Sequence, residues 1–151
     1  MEEEKLLVRK IESGTVIDHI PAGKGLEVIN ILNVDLKHNE TAVVLVNVQS
    51  RKMGRKDVIK VENKQLSDWE VNKIALIAPT ASLNIIKNWK VIEKQNVKLP
   101  EILVGVTNCP NISCITNTDE YLKKKFIVEK ERPLKLRCFY CERIFEREEI
   151  A

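Results

Sequence analysis

Cys109-Pro-Asn-Ile-Ser-Cys114 and Cys138-Phe-Tyr-Cys141 hold all four cysteines of the 151-residue chain. Four residues lie inside the first pair, two inside the second, and 23 between the pairs. This spacing puts two thiols on each of two tight turns, and a hairpin or small sheet can bring the turns together. Tetrahedral zinc takes four thiolates at about 2.3 Å, and two such knuckles supply them. Disulfides and a four-thiolate iron site are the alternatives. The start Met-Glu-Glu-Glu-Lys carries no signal-peptide pattern, which predicts a cytoplasmic chain with reduced thiols. Four thiolates leave no coordination position for water, so the site reads as structural, not catalytic.

Upstream of the cysteines the pattern is mixed. Residues 6–8 and 15–20 are rich in β-branched and aliphatic residues and predict strands about a Ser13-Gly14 turn. Leu26, Ile29 and Leu32 recur at helical spacing, predicting a short helix to about residue 33. Residues 35–40, with His38, form a polar loop. Thr41-Ala-Val-Val-Leu-Val-Asn-Val48 is nearly continuous in apolar residues and predicts a strand central in its sheet. After a turn at 50–54, the strand 56–61 sets Lys56, Val58 and Lys60 on one face and Asp57, Ile59 and Val61 on the other.

Ser67-Asp-Trp-Glu70 fits a capping box that opens a second helix. Val71, Ile74, Ala75 and Ala78 form its apolar stripe, and Pro79 stops it. Residues 81–87 and 90–95 predict a hairpin through Asn88-Trp89. The order strand, helix, strand, strand, helix, strand, plus one further strand, predicts a ferredoxin-like α+β domain over residues 1–98. A small all-β metal-binding domain follows over 99–151, with strands at 102–107, 126–129 and 134–137. Few apolar side chains serve that second part, so it depends on its metal to fold.

Composition narrows the function. Hydrophobic residues make up 44% of the chain, enough for a core, and no apolar run approaches the roughly 20 residues of a membrane span. Residues 1–100 hold 16 Lys and Arg against 13 Asp and Glu, whereas residues 101–151 hold nine of each. A zinc ribbon that grips nucleic acid needs a basic face for phosphate, and this balance argues against that alternative. A rubredoxin-like electron carrier is a second rival, separable by the colour of its iron. Catalytic signals are poor. The only histidines are His19 and His38. Asp18 and His19, as strand neighbours, point to opposite faces unless the strand breaks. Gly23-Lys24-Gly25 lacks the rest of a phosphate loop. The lysines say more: Lys56 and Lys60 share a face with Val58, and Lys90 and Lys94 share one with Ile92. With Asn84 they could converge beside an apolar floor, although a solvated outer face is the plainer reading.

Gly14-Thr-Val-Ile-Asp-His-Ile-Pro-Ala22, Gly54-Arg-Lys-Asp-Val-Ile-Lys60, Asn84-Ile-Ile86, Cys109-Pro-Asn-Ile-Ser-Cys114 and Cys138-Phe-Tyr-Cys-Glu142 together resemble the regulatory chain of aspartate carbamoyltransferase. The resemblance runs from about Lys5 to Phe145 in unchanged order. It implies a non-catalytic subunit that binds the nucleotide effectors CTP, ATP and UTP and transmits allosteric control of pyrimidine biosynthesis to catalytic chains. It implies one structural Zn2+ per chain on Cys109, Cys114, Cys138 and Cys141, and a regulatory homodimer. By motif position it implies that Asp18, His19, Lys60, Asn84 and Lys94 make the polar nucleotide contacts. Ile11, Ile86, Trp89 and Val91 would frame the base, and Lys56 would serve a second nucleotide. Asn111, Glu142 and Arg143 would face the catalytic chain. For Asp18 and His19 both to reach a ligand, the strand must twist or break just before Pro21.

Overall fold

The computed structural model describes residues 10–32 and 40–150. The expected strand at 6–8 and the polar loop at 35–39, with His38, lie outside the described residues. The first half comprises β1 (Gly14–Pro21), α1 (Gly25–Ile31), β2 (Ala42–Ser50), β3 (Gly54–Glu62), α2 (Asp68–Ile77), β4 (Ser82–Lys87) and β5 (Lys90–Asn96). The strands form one antiparallel sheet in the order β2-β3-β1-β4-β5. That is the expected ferredoxin-like arrangement with β5 added at one edge.

One expectation fails here: β2 is an edge strand, not a central one. No residue of β2 is fully buried; an apolar run reports side-chain type, which does not fix a strand's position in the sheet. Val46, at its irregularity, is 49% exposed.

Local chemistry explains the element ends. Gly14 opens β1 with φ of 142°, and a Cβ there would sit 2.1 Å from the Val61 carbonyl oxygen, so only glycine fits. The capping box of α2 is present: Ser67 Oγ accepts from Glu70 N at 3.2 Å, and Glu70 Oε1 accepts from Ser67 N at 3.0 Å. Asp57 is fully buried in β3. Its carboxylate accepts from the backbone N–H groups of Gly23 (2.9 Å), Gly25 (2.7 Å) and Asn47 (2.7 Å). One side chain thereby ties the entry of α1 and the β2 bulge to the centre of the sheet.

The second half carries β6 (Ile102–Val104), β7 (Lys125–Lys130), β8 (Lys135–Cys138) and β9 (Ile144–Glu146) as a four-stranded antiparallel sheet in sequence order. β6 is shorter than the expected strand, and β9 was not expected. The apolar core is continuous between the two sheets. Ile17, Ile59, Leu83, Val28 and Ile74 belong to the same cluster as Val97, Leu99, Leu103, Val106, Phe126 and Leu136. The expected stripe of α2 packs inward, with Ile74, Ala75 and Ala78 buried. Leu76 is also buried, on the helix face that bears Trp69 and Lys73. α2 therefore buries two faces where its pattern predicted one.

Candidate functional site

Strand register assembles the lysine-bearing surface. Lys60 of β3 pairs with Val16 of β1, Val16 with Asn84 of β4, and Asn84 with Lys94 of β5. Cross-strand partners share a face, so Lys60, Asn84 and Lys94 form a row around a small apolar floor. The irregularity between β4 and β5 sets Val91 opposite Ile86 and Lys90 opposite Lys87. Val91 and Lys94 thus share the Asn84 face and Lys90 does not. The expected grouping of Lys90 with Lys94 fails because a bulge breaks the period of two.

A second bulge resolves the Asp18–His19 problem. The β1–β3 register shifts between Ile17 and Ile20, and His19 takes φ of 57°. The strand does break just before Pro21, as the resemblance requires. Asp18 Oδ1 lies 2.8 Å from Lys56 Nζ and accepts from His19 N at 2.6 Å. Burial raises the Asp18 pKa, but the Lys56 ammonium and the His19 N–H outweigh it and hold the carboxyl below its usual range. Lys60 is 9% exposed. Burial depresses its pKa, and the charge of Asp18 partly restores it. His19 Nδ1 bonds Ser82 Oγ at 2.8 Å, beside Asp18, the cross-strand partner of Ser82. Ser82 lies two residues before Asn84 on β4, on the face that the period of two gives both.

The other end of the row is apolar. Ile86 pairs with both Gly14 and Val91, and Ile11 is buried. Trp89 N donates to the Glu12 carbonyl at 3.0 Å, drawing the β4–β5 turn against the segment that carries Ile11. Asn88 and Trp89 have φ of 51° and 68°, a two-residue turn in which a tryptophan is rare. From Asp18 to Gly14 the surface spans four residues of β1, about 13 Å at roughly 3.3 Å per residue. It is charged at one end and apolar at the other.

The four cysteines converge. Their sulfur atoms all lie within 4.8 Å of one another, and none is in a disulfide. Cys109 and Cys141 are 3.7 Å apart, as are Cys114 and Cys138. Four ligands at about 2.3 Å from one ion stand about 3.8 Å apart at tetrahedral angles, so the cluster fits a tetrahedral metal. Disulfide partners would bond at about 2.05 Å.

Donors surround the sulfurs. Backbone N–H groups of Asn111, Tyr140, Cys141 and Arg143 and the Thr116 hydroxyl point at them. Burial pushes the thiols up, and these donors oppose it. At Cys114, with the hydroxyl and N–H of Thr116 alongside, they prevail and bring the pKa to about 7. Cys109 and Cys138, each beside another thiol, remain raised. A dication among them would stabilise all four as thiolates.

Asn111 faces inward. Its side-chain oxygen accepts from Ser113 N at 3.1 Å, and its amide also bonds Cys141. Glu142 and Arg143 are exposed on the second knuckle, Glu142 with φ of 63°. The carbonyl of Arg143 accepts from Cys138 N at 2.9 Å.

Comparison with known proteins matches the chain to two family profiles. Residues 6–98 match the family profile described as "Aspartate carbamoyltransferase regulatory chain, allosteric domain". Residues 101–151 match that of the "metal binding domain" of the same chain. A Pyrococcus horikoshii protein named aspartate carbamoyltransferase regulatory chain is 57% identical over 147 residues, covering 97% of this chain and 96% of its own length. A Thermococcus sibiricus protein of that name is 55% identical over 148 residues, covering 98% and 97%. One from Methanothrix thermoacetophila is 53% identical over 142 residues, covering 94% and 92%.

Proposed function

This chain belongs to the aspartate carbamoyltransferase regulatory chains, a family of non-catalytic subunits, and from that premise we propose that it senses nucleotides on its five-stranded sheet and relays their binding to catalytic chains through its metal module. The effectors are CTP, ATP and UTP. The observation that carries the reading is the row Lys60–Val16–Asn84–Lys94, flanked by the Asp18–Lys56 pair at one end and by Ile86 and Val91 at the other.

Phosphates would lie toward Lys94 and His19, ribose toward Asp18 and Lys60, and base toward Ile11, Ile86, Trp89 and Val91, with Lys56 serving a second nucleotide. Lysines act as point charges for phosphate, while Asn84 and backbone groups supply directional bonds. The effector domain spans residues 1–98 and the metal domain 99–151.

The metal is one structural Zn2+ held by Cys109, Cys114, Cys138 and Cys141, in keeping with the sulfur spacing. Asn111, Glu142 and Arg143 lie on or beside the knuckles that dock on the catalytic chain. Ile112 (88% exposed) and Tyr121 (90% exposed) lie in the same module, and a partner that covered them would remove apolar surface from water. The outer edge of β2, unpaired among the described residues, supplies a surface for a homodimer. Ligand binding biases the catalytic chains by as much as it discriminates between two quaternary states.

Lys60 gives a direct test. Lys60→Met replaces its buried ammonium with an apolar side chain of similar length. The same change should weaken CTP binding by roughly 10- to 150-fold, read by calorimetry, since a hydrogen bond from a charged donor is worth about 1.5–3 kcal/mol. Wild-type affinity in the variant would remove Lys60 from the site. Absence of any nucleotide binding by the wild type would overturn the effector reading itself.

A further inference from the structure

We propose that Trp69 and Lys73 of α2 are positioning residues that fix the entry to the metal centre from the effector sheet. This rests on the regulatory reading above. Trp69 Nε1 donates to the Gly105 carbonyl at 2.8 Å, and Lys73 Nζ donates to the Val106 carbonyl at 2.8 Å. Residues 69 and 73 stand one turn apart on a single helix face, which Leu76 continues into the core. Their two acceptors are consecutive carbonyls that lead through Thr107 and Asn108 into Cys109. Gly105 has φ of 68°, so the chain turns where Trp69 holds it, and its N–H is bonded to the Lys124 carbonyl at 2.7 Å. The loop is pinned on both sides.

At its N-terminal turn, beside Trp69, α2 is also tied to the effector sheet. Thr15 of β1, fully buried, donates to the Lys64 carbonyl at 2.8 Å, and Lys64 Nζ lies 3.4 Å from Glu70 Oε2. Glu70 closes the capping box on Ser67. Thr15 adjoins Val16, the floor of the Lys60–Asn84 row. A continuous series of bonded groups therefore joins that row to the first cysteine knuckle through one rigid helix. A shift of β1 on ligand binding moves α2 as a body, and Trp69 and Lys73 carry the carbonyls of Gly105 and Val106 with it. A lysine and a tryptophan on the second face of a surface helix otherwise have no reason to be aimed at two successive backbone oxygens.

The test uses the metal-loaded chain as wild type, Trp69→Phe, Lys73→Met, the double variant and Lys73→Arg. CTP affinity is measured on the free chains, and the CTP-induced change in activity on each chain assembled with aspartate carbamoyltransferase catalytic chain. Free-chain affinity should stay within about twofold of wild type, and assembly should persist. The CTP effect should shrink at least twofold in each single variant and vanish in the double, with Lys73→Arg retaining most of it. A double variant that assembles, binds CTP and responds like wild type overturns the proposal.

A second measurement is independent of nucleotide. In the wild type, chelating the metal should lower the melting midpoint of the five-stranded sheet, followed by the backbone NMR signals of β1, β3 and β4 on heating. In the double variant the drop should be no more than half that of the wild type, the continuous apolar core carrying the rest. If the wild type binds no nucleotide, the effector reading fails and this melting comparison alone decides the clamp. A drop in the double variant as large as that of the wild type overturns it.

Discussion

Stripping the metal is expected to unfold residues 102–146 while leaving much of the five-stranded sheet folded. The four-stranded sheet has two strands of only three residues, Ile102–Val104 and Ile144–Glu146. Its buried apolar side chains are few: Leu103, Val106, Phe126, Leu134, Leu136 and Phe145, with Cys109, Cys114 and Cys138 packed among them. So small a core does not hold a module together unaided. Structural zinc on such sites contributes an apparent 10–16 kcal/mol, on the order of the whole stability of a domain. Without the cation, four sulfurs within 4.8 Å would face one another as protonated or mutually repelling groups.

Amide exchange measured before and after chelation reads the result. Protection should vanish in β6 to β9, and any associated catalytic chain should be released. Cys114→Ser should reproduce the effect even with excess zinc, because a serine hydroxyl does not ionise near neutral pH. Undiminished protection in β7 and β8 after the metal has gone would contradict the account.

Asp57→Ala is expected to cost about 3–5 kcal/mol, the largest loss from any single substitution in the effector half. Asp57 is fully buried and satisfies three backbone donors, at Gly23, Gly25 and Asn47. Each bond to a charged group is worth about 1.5–3 kcal/mol, discounted where the freed donor can reach water. At about 2–4 °C per kcal/mol for a chain of this size, the melting temperature should fall by roughly 10 °C. Asp57→Asn should lie between, since its amide sets an NH2 against at least one of the three N–H groups. The fit leaves little latitude: a Cβ on Gly25 would stand 2.8 Å from Asp57 Oδ2. A melting temperature within 2 °C of wild type for Asp57→Ala would show that these bonds are replaced by water.

Much of this was readable from residues in local contact. The Ser67–Glu70 cap, the Pro79 stop and the cysteine spacing each depend on groups a few positions apart. What escaped depends on strands meeting. Period-two reasoning misplaced Lys90, because a bulge near Ile92 reverses every face beyond it. It could not say that Asp18 and His19 break the strand, because no residue type there demands φ of 57°. Asp57 looked like an acid on an apolar face with no purpose. Its donors come from a turn and a bulge 34, 32 and 10 positions away. The helical pattern assigned Lys73 no role, and its bonding to the loop at 105–106 shows only once that loop packs against α2. The central placement of β2 was wrong because apolar content does not rank strands within a sheet.

The central claim is that this chain regulates a catalytic partner, and one measurement tests it most directly. The metal-loaded chain is mixed with aspartate carbamoyltransferase catalytic chain, resolved by size, and the co-eluting fraction assayed with and without CTP and ATP. The account predicts a mixed assembly whose activity changes with nucleotide. Separate elution, with catalytic activity indifferent to both nucleotides, would contradict it.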